Sequence, residues 1–554
     1  MDYPADDLTP AERARIAPHF TDLDGPVFAL VNLPETVKGA LFARYSRYPG
    51  TLRRLFLDEF ADSLPEGGGY DGDEGSRAAE LYERIFVGYG DDSVAQLGGA
   101  HVACEWTSNI LTKVLQRPRL GAYLEQSTRY LAYDAPVPAG GGAPAGGGDT
   151  PAGGGTSRAG GAGAGGGYRY YRDAALGPAY ATAMDSLFDA YAEALPRVRA
   201  WADETFPRTD GEPESARRRA VNAKALDLLR GLLPAASLSH MGIYATGQAY
   251  EQLILHLIGH PLPEARRYGE MILAAVKAVM PSFVARVERP DRGGAWAAFL
   301  QQRRAAAEHW TARLGLDRES EPDERPSVRL LHVDGDEDRL LAALLFEAAG
   351  TSEETTLAAV ATLDAPDRAR MLAELIGERA NRRHRPGRGF EALRYRFEVV
   401  SDYGAFRDLQ RHRMLTVQWQ ALTPELGAAV PDEVAEAGCG DLYRGALERS
   451  RTEYERLTGA GHGEAAPYAL CLGYRMRYVL DMNAREAMHL IELRSGREGH
   501  PGYRAVAHEM HAQIAGHHPA VADAMTHVDT SAEPRLERIL AEMRQERRRT
   551  AASL

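Results

Sequence analysis

Cysteine is scarce: Cys104, Cys439 and Cys471 are the only three in 554 residues, and none stands in a CxxC pair. That excludes a disulfide framework and a thiolate-built structural zinc, and it points to a reducing compartment, with the cytoplasm expected. Lysine is almost as scarce. Lys38, Lys113, Lys224 and Lys277 are the whole set, so nearly every basic residue is arginine, which coding bias in a GC-rich genome explains as readily as function does. No run approaches 18 apolar residues, and the opening MDYPADDLTPAERAR is polar and acidic rather than basic and then apolar, so neither a membrane span nor a signal peptide is expected. Positive charge is in deficit too: 65 Lys plus Arg against 78 Asp plus Glu leave a net charge of -13. The global field would repel nucleic acid and anionic membranes, and there is no basic stripe to override it, so any anionic ligand must be gripped locally. Metal-ligand spacing is missing as well; His517-His518 and the scattered histidines suggest no site, and no metal is expected.

What is present is length and repetition. A chain of this size holds two or more domains, each with its own core. The stretch 136–167, PVPAGGGAPAGGGDTPAGGGTSRAGGAGAGGG, has almost no side chain able to offset ordering entropy and is expected to be a flexible insertion within a domain. A better boundary is LDRESEPDERPS at 316–327, charged, with two prolines and no apolar period. On each side the chain begins alike, with a short apolar strand and then a helix: VFALVNL before PETVKGALFARYS, and VRLLHVD before GDEDRLLAALLFEAA. The expectation is a duplicated α+β domain, 1–315 and 328–554, with a mixed sheet and helices in excess.

Two segments carry chemistry. In the first half the apolar helix EWTSNILTKVLQ ends in Arg117-Pro118-Arg119 and continues as LGAYLEQSTRY, where Glu125, Gln126, Ser127, Thr128 and Arg129 crowd polar groups together. In the second half GAFRDLQ leads into Arg411-His412-Arg413 and MLTVQWQALTPE. Two guanidiniums around one residue can fork a phosphate or pyrophosphate without a glycine-rich loop. Alone, either would read as a surface charge cluster; the recurrence of one layout weakens that reading.

These segments resemble the signature of the flavin-dependent thymidylate synthases: Arg-His-Arg, two residues, Ser, one residue, Asn, two residues, Ser, one residue, Arg. Each half matches in part. The first keeps both opening arginines, Glu125, Gln126, Ser127 and Arg129, but departs at Pro118, Ala122 and Leu124; the second keeps Arg411, His412 and Arg413, with Thr416 and Gln418 conservative, but has Ala421 and Thr423 at the closing end. A later family segment, Asn-Ala-Arg before an apolar helix ending in Leu-Arg, resembles NAREAMHLIELR in the second half, with Asn483, Arg485, His489 and Arg494, and His500 follows it. The first half has lost these, yet Arg230 matches a nucleotide-contacting arginine of the family, where the second half has Pro467. Ser93 and Glu391 match flavin-contacting positions.

Carried over residue by residue, the resemblance implies one site assembled from two diverged copies. Glu125, Gln126, Ser127, Thr128, Arg129 and Arg230 would bind the nucleotide, with Arg411 also in contact. Arg494 would face the uracil as the catalytic group. Ser93, Glu125, Arg411, His412, Arg413, Asn483, Arg485, His489 and His500 would hold the cofactor, FAD. The implied reaction is methylation of C5 of dUMP or UMP, with methylenetetrahydrofolate and NADPH as co-substrates and no protein nucleophile, so the three cysteines read as buried or neutral. Two rival readings are a UMP-specific methylase of a modified-nucleoside pathway and a non-catalytic flavin- or nucleotide-binding homologue. Since the family is homotetrameric, a duplicated chain is expected to form a homodimer that makes a pseudo-tetramer.

Overall fold

A computed structural model describes residues 8–20, 22–24, 30–45, 51–63, 96–129, 131–136, 167–208, 210–316, 325–531 and 536–552. Ser93, the interior of the glycine-rich stretch and 317–324 lie outside the described residues. Two compact units are present: Met1–Thr107 with Leu111–Gln126 and Ser239–Glu319, and Ser108–Ile110 with Ser127–Leu238 and Ser320–Leu554. Sequence repeat and spatial unit are therefore different divisions, since 127–238 belongs with the second unit.

The first unit is built on a three-stranded sheet in the order β1 (Gly99–Ser108), β3 (Leu238–Thr246), β2 (Ala122–Glu125). The helix Gly247–Ile258 starts at Thr246, whose hydroxyl accepts from the Ala249 N–H, and buries Leu253, Ile254 and Leu257. It is tied to a neighbouring turn by a bidentate pair between Glu251 and Arg286, at 2.9 and 2.5 Å.

The second unit has a four-stranded sheet in the order β4 (Ser327–Asp334), β5 (Arg394–Asp402), β7 (Arg475–Asn483), β6 (Thr416–Trp419). Period-two alternation buries Tyr395, Phe397 and Val399 on β5 and Met476, Tyr478, Leu480 and Met482 on β7. At about 1.5–3 kcal/mol per large side chain these dominate the local energetics. The helix Pro501–His517 packs on β4 and β5, and its Gln513 amide closes the edge of β4 by accepting from the Leu330 N–H at 2.6 Å and donating to the Val328 carbonyl at 2.7 Å. The C-terminal helix Ile539–Ala552 lies on Glu214–Leu229, where Leu536, Ile539 and Met543 join Ala216, Ala220 and Val221 in one apolar cluster.

The α+β class stands. The sheet, expected to be mixed, is antiparallel in every pairing whose register is described. Of the two strands expected, VRLLHVD is β4 and VFALVNL begins outside the described residues, while Glu105–Ser108, expected to open a helix, ends β1. An apolar pattern also carries no information on strand direction.

Duplication is visible element by element. The ends of β1 and β5, the helices Asn109–Leu115 and Tyr403–Leu409, and the strands β2 and β6 are all 294 positions apart. The strands β3 and β7, and the starts of the helices that follow them, are 237 apart. Sheet order repeats as well, β1-β3-β2 against β5-β7-β6. The drop from 294 to 237 means that the first copy is longer by 57 positions between Glu125 and Leu238, the interval that holds the glycine-rich stretch. Inside the second unit, equivalent residues meet across a local pseudo-dyad: Pro234 bridges Cys471, 237 positions on, flanked by Ala235 N–H to the Leu470 carbonyl at 2.7 Å and Leu472 N–H to the Leu233 carbonyl at 2.8 Å. Among the described residues no helix is long and apolar enough to cross a membrane.

Candidate functional site

The second unit gathers residues from both halves of the sequence. Asp402, last residue of β5, caps the helix Tyr403–Leu409 by accepting from the Ala405 N–H at 2.8 Å. Three residues before Arg411, Asp408 accepts from that guanidinium, one helical step away. The helix stops there, and the Arg411-His412-Arg413 turn leaves both arginines exposed and the imidazole between them buried.

A second helix supplies the other wall. Asn483 caps Ala484–Arg494 by accepting from the Glu486 N–H at 2.9 Å. Glu486 accepts from His412 Nδ1 at 3.0 Å, and Arg494, in the last turn, donates its Nε–H to His412 Nε2 at 3.0 Å. One imidazole thus bridges a carboxylate and a guanidinium, with the proton on Nδ1. Burial first, then the positive charge of Arg494, Arg411 and Arg385, holds His412 well below the usual histidine value. His489, 5.3 Å away ring to ring, is pushed down to about 4, mainly by burial. Glu486 is raised, also by burial. Arg485 donates to the Pro386 carbonyl at 3.0 Å and lies 3.6 Å from Glu391.

Arg129 and Arg230, from the first half, stand in the same unit. Arg129 is clamped in a bidentate pair by Asp227 and donates to the Tyr503 hydroxyl and the Glu498 carbonyl, each at 3.2 Å. Burial disfavours its charge, but Asp227 outweighs that and holds it firmly protonated. Arg230 is 4% exposed, 3.2 Å from Asp408 and 3.6 Å from Asp402. Its Nε and Nη2 are buried with no hydrogen-bond partner, and burial lowers its proton affinity. Gly404 makes room for it: a Cβ there would meet Arg230 Nε at 2.8 Å. His500 accepts from the Gly502 N–H on Nδ1 at 3.0 Å and reaches the Asp227 carbonyl through Nε2 at 3.3 Å. The Tyr503 ring lies 5.4 Å from the Arg494 guanidinium. Burial pushes its phenol up, but Arg129, a backbone hydrogen bond, Arg494 and Arg230 bring it below the usual tyrosine value.

The remaining candidates are divided between the two units. Glu125 and Gln126 end a segment of the first unit, where Glu125 accepts from Lys113 at 2.8 Å and Gln116 at 3.0 Å, and the Gln126 side-chain oxygen is buried without a hydrogen-bond partner. Ser127 and Thr128 open the next segment, in the second unit; the Ser127 hydroxyl accepts from the Arg129 N–H at 3.2 Å, and Thr128 is buried. Ser93 lies outside the described residues. All three cysteines are buried, and burial pushes the Cys104 and Cys471 thiols up to about 12 and raises that of Cys439, so none is poised as a thiolate.

Among the described residues one group has metal-ligand spacing, His412, Glu486 and His489, with ligand atoms within 4.8 Å of one another. Its chemistry suits a cation poorly: His412 Nε2 already accepts from Arg494, and Arg494, Arg411 and Arg385 surround the rings with positive charge. The exposed guanidiniums of Arg411 and Arg413 beside these rings suit an anionic group better than a cation.

Sequence reasoning missed Asp227, Asp402, Asp408, Glu486 and Tyr503. Only Asp408 and Glu486 carried a local signal, an acid three residues before Arg411 and one in the first turn after Asn483.

The neutral histidines have a consequence for stability. His412, His489 and His500 have proton affinities in the folded protein below that of an unfolded histidine, near 6.5. Their contribution is complete above that value and is lost as the pH falls, because the unfolded chain binds the protons first. Thermal melts are expected to show a falling Tm between about pH 7 and 5; a flat or rising Tm would mean that these rings are charged in the native state.

Comparison with known proteins accords with the duplication. The thymidylate synthase complementing protein family matches residues 56–282 and again 332–520. A UPF0159 protein of Chlamydia muridarum is 35% identical over 98% of this chain and 99% of its own length, and one of Thermoplasma acidophilum is 29% identical over 92% and 98%. Among solved structures, the UMP/dUMP methylase PolB from Streptomyces cacaoi, bound with 5-Br dUMP, is 21% identical, with a TM-score of 0.30, over 37% of this chain and 97% of its own. With two matched regions that together span most of its length, and relatives aligned nearly end to end, the chain belongs to the thymidylate synthase complementing protein family, to which uracil-nucleotide C5 methylation attaches at family level.

Proposed function

We propose that this chain methylates C5 of a uracil nucleotide with methylenetetrahydrofolate as carbon donor, working as a homodimer. FAD, reduced by NADPH, supplies the hydride that completes the methyl group. The observation that carries this reading is the meeting, inside one compact unit, of Arg129 and Arg230 from the first repeat with Arg411, His412, Arg494 and His500 from the second. In this reading Arg230, with two buried N–H-bearing nitrogens lacking hydrogen-bond partners, takes the nucleotide phosphate, and Arg129, held by Asp227 in the same unit, assists it. Arg494 faces the uracil; its positive charge stabilises negative charge on the base and leaves C5 more nucleophilic. The exposed Arg411 and Arg413, with Arg485 and His489, hold the flavin, while His412, with both ring nitrogens engaged, braces Arg494.

Purified protein supplied with FAD, NADPH and methylenetetrahydrofolate is expected to convert dUMP or UMP to its 5-methyl derivative and to show a bound-flavin spectrum. Product from UMP alone would select the UMP-specific reading, and flavin binding without product the non-catalytic one. A protein that binds no FAD would remove both methylase readings.

A further inference from the structure

Glu486 is 6% exposed, and no step assigned above uses its carboxylate. We propose that Glu486 is a positioning residue: by accepting the Nδ1–H of His412 it fixes the imidazole tautomer, which turns the Nε2 lone pair to the Nε–H of Arg494 and aims that guanidinium. The inference rests on the reading of Arg494 as the base-facing group.

The geometry is a chain of two hydrogen bonds, each 3.0 Å, from carboxylate to imidazole to guanidinium. Its polarity is fixed. The Arg494 Nε can only donate, so His412 Nε2 must accept, and a neutral ring then carries its proton on Nδ1, where the carboxylate receives it. Without an acceptor at Nδ1 that N–H is left buried and unpaired, a cost that opposes the Arg494 contact and favours the other tautomer, in which two N–H groups would confront each other at Nε2 and Arg494 would lose its anchor.

The duplication supplies an internal control. The counterpart of Glu486, 237 positions earlier, is Ala249, at the same place in the first turn of the helix after β3. Thr246 caps that helix through the Ala249 N–H, as Asn483 caps its own through the Glu486 N–H. The fold therefore accepts alanine here. The rest of the chain of contacts is missing from the first copy as well: Pro118 stands for His412 and Leu257 for Arg494. Carboxylate, imidazole and guanidinium occur together in one copy and are replaced together in the other. A buried carboxyl group costs stability unless paired, so its presence only where the other two are found ties it to them.

Glu486→Ala, which the first repeat shows to be compatible with the helix, is expected to keep its fold and nucleotide KM while kcat falls on the order of 10- to 100-fold, the usual effect of losing a partner that orients a functional histidine. Glu486→Gln keeps an acceptor oxygen and is expected to recover most of the loss. A second readout is independent of turnover: in protein labelled with 15N-histidine, the His412 signals, identified by their absence in His412→Asn, are expected to show a protonated Nδ1 in the wild type and a shift toward protonated Nε2 in Glu486→Ala. Failure of the wild type to methylate either nucleotide would remove the proposed function and leave the tautomer measurement to decide this one. A wild-type His412 protonated on Nε2, an unchanged tautomer and kcat in Glu486→Ala, or a Glu486→Gln enzyme as impaired as the alanine variant would overturn it.

Discussion

Replacing Arg494 by alanine is expected to lower kcat by about 100- to 1,000-fold, the range seen when a preorganised donor is removed from developing negative charge. The side chain sits in the last turn of Ala484–Arg494, where a positive charge also complements the helix dipole. Its Nε is anchored on His412, its guanidinium lies over the Tyr503 ring, and Asp408 stands 4.0 Å from Nη1. A group held from three sides reorganises little when charge develops beside it, so its effect belongs in kcat. Nucleotide KM is expected to move less, because Arg129 and Arg230 grip the other end of the ligand in this reading. Arg494→Lys is expected to remain impaired: an ammonium on a flexible stem cannot both donate to His412 and present a planar edge to a base. Steady-state kinetics with the preferred nucleotide checks this, and an alanine variant with wild-type kcat would take Arg494 out of the chemistry.

The arginines of this site were legible in the sequence because they stand in short motifs with fixed spacing. Their partners were not. Asp227 is 98 positions from Arg129, and Tyr503 is 374 away. Burial demands a counter-charge for each guanidinium but does not say where in the chain it must come from. Glu486 shows the limit from the other side: it stands next to Arg485, inside a recognised motif, yet only its contact with His412 reveals a role. The fold divides in the same way. The duplication was legible from two arginine signatures 294 positions apart and from the opening VRLLHVD then GDEDRLLAALLFEAA, which forms β4 and the helix Glu337–Leu345. By contrast EWTS, read as the start of a helix, ends β1, because a short apolar run fits either period. Strand direction and the division into compact units depend on pairings that periodicity does not encode, and the units part between Gln126 and Ser127, inside a single signature. The flexible character expected of the glycine-rich stretch falls on residues outside the described ones.

Arg230 presents the second large expectation, because two effects of its loss can be separated. Its guanidinium is buried between Asp402 and Asp408, so Arg230→Met leaves two carboxylates short of a counter-charge and is expected to cost about 3–5 kcal/mol of stability. Asp408 retains Arg411, and Asp402 retains the Ala405 N–H, which sets the loss toward the lower end of that range. Adding Asp408→Asn removes one of the stranded charges and is expected to restore part of the stability, since replacing both partners of a buried pair costs less than removing one. Nucleotide binding should not follow. If Nε and Nη2 of Arg230 await a phosphate, their loss removes charge-assisted hydrogen bonds of about 1.5–3 kcal/mol, on the order of 10- to 100-fold in Kd, and the second substitution cannot return them. Chemical denaturation and titration calorimetry with dUMP and UMP, on the single and double variants, read the two effects apart. Recovery of stability with binding still lost would assign Arg230 to the ligand as well as to the fold. Wild-type affinity in the double variant would leave it a purely structural counter-ion and shift the phosphate to Arg129.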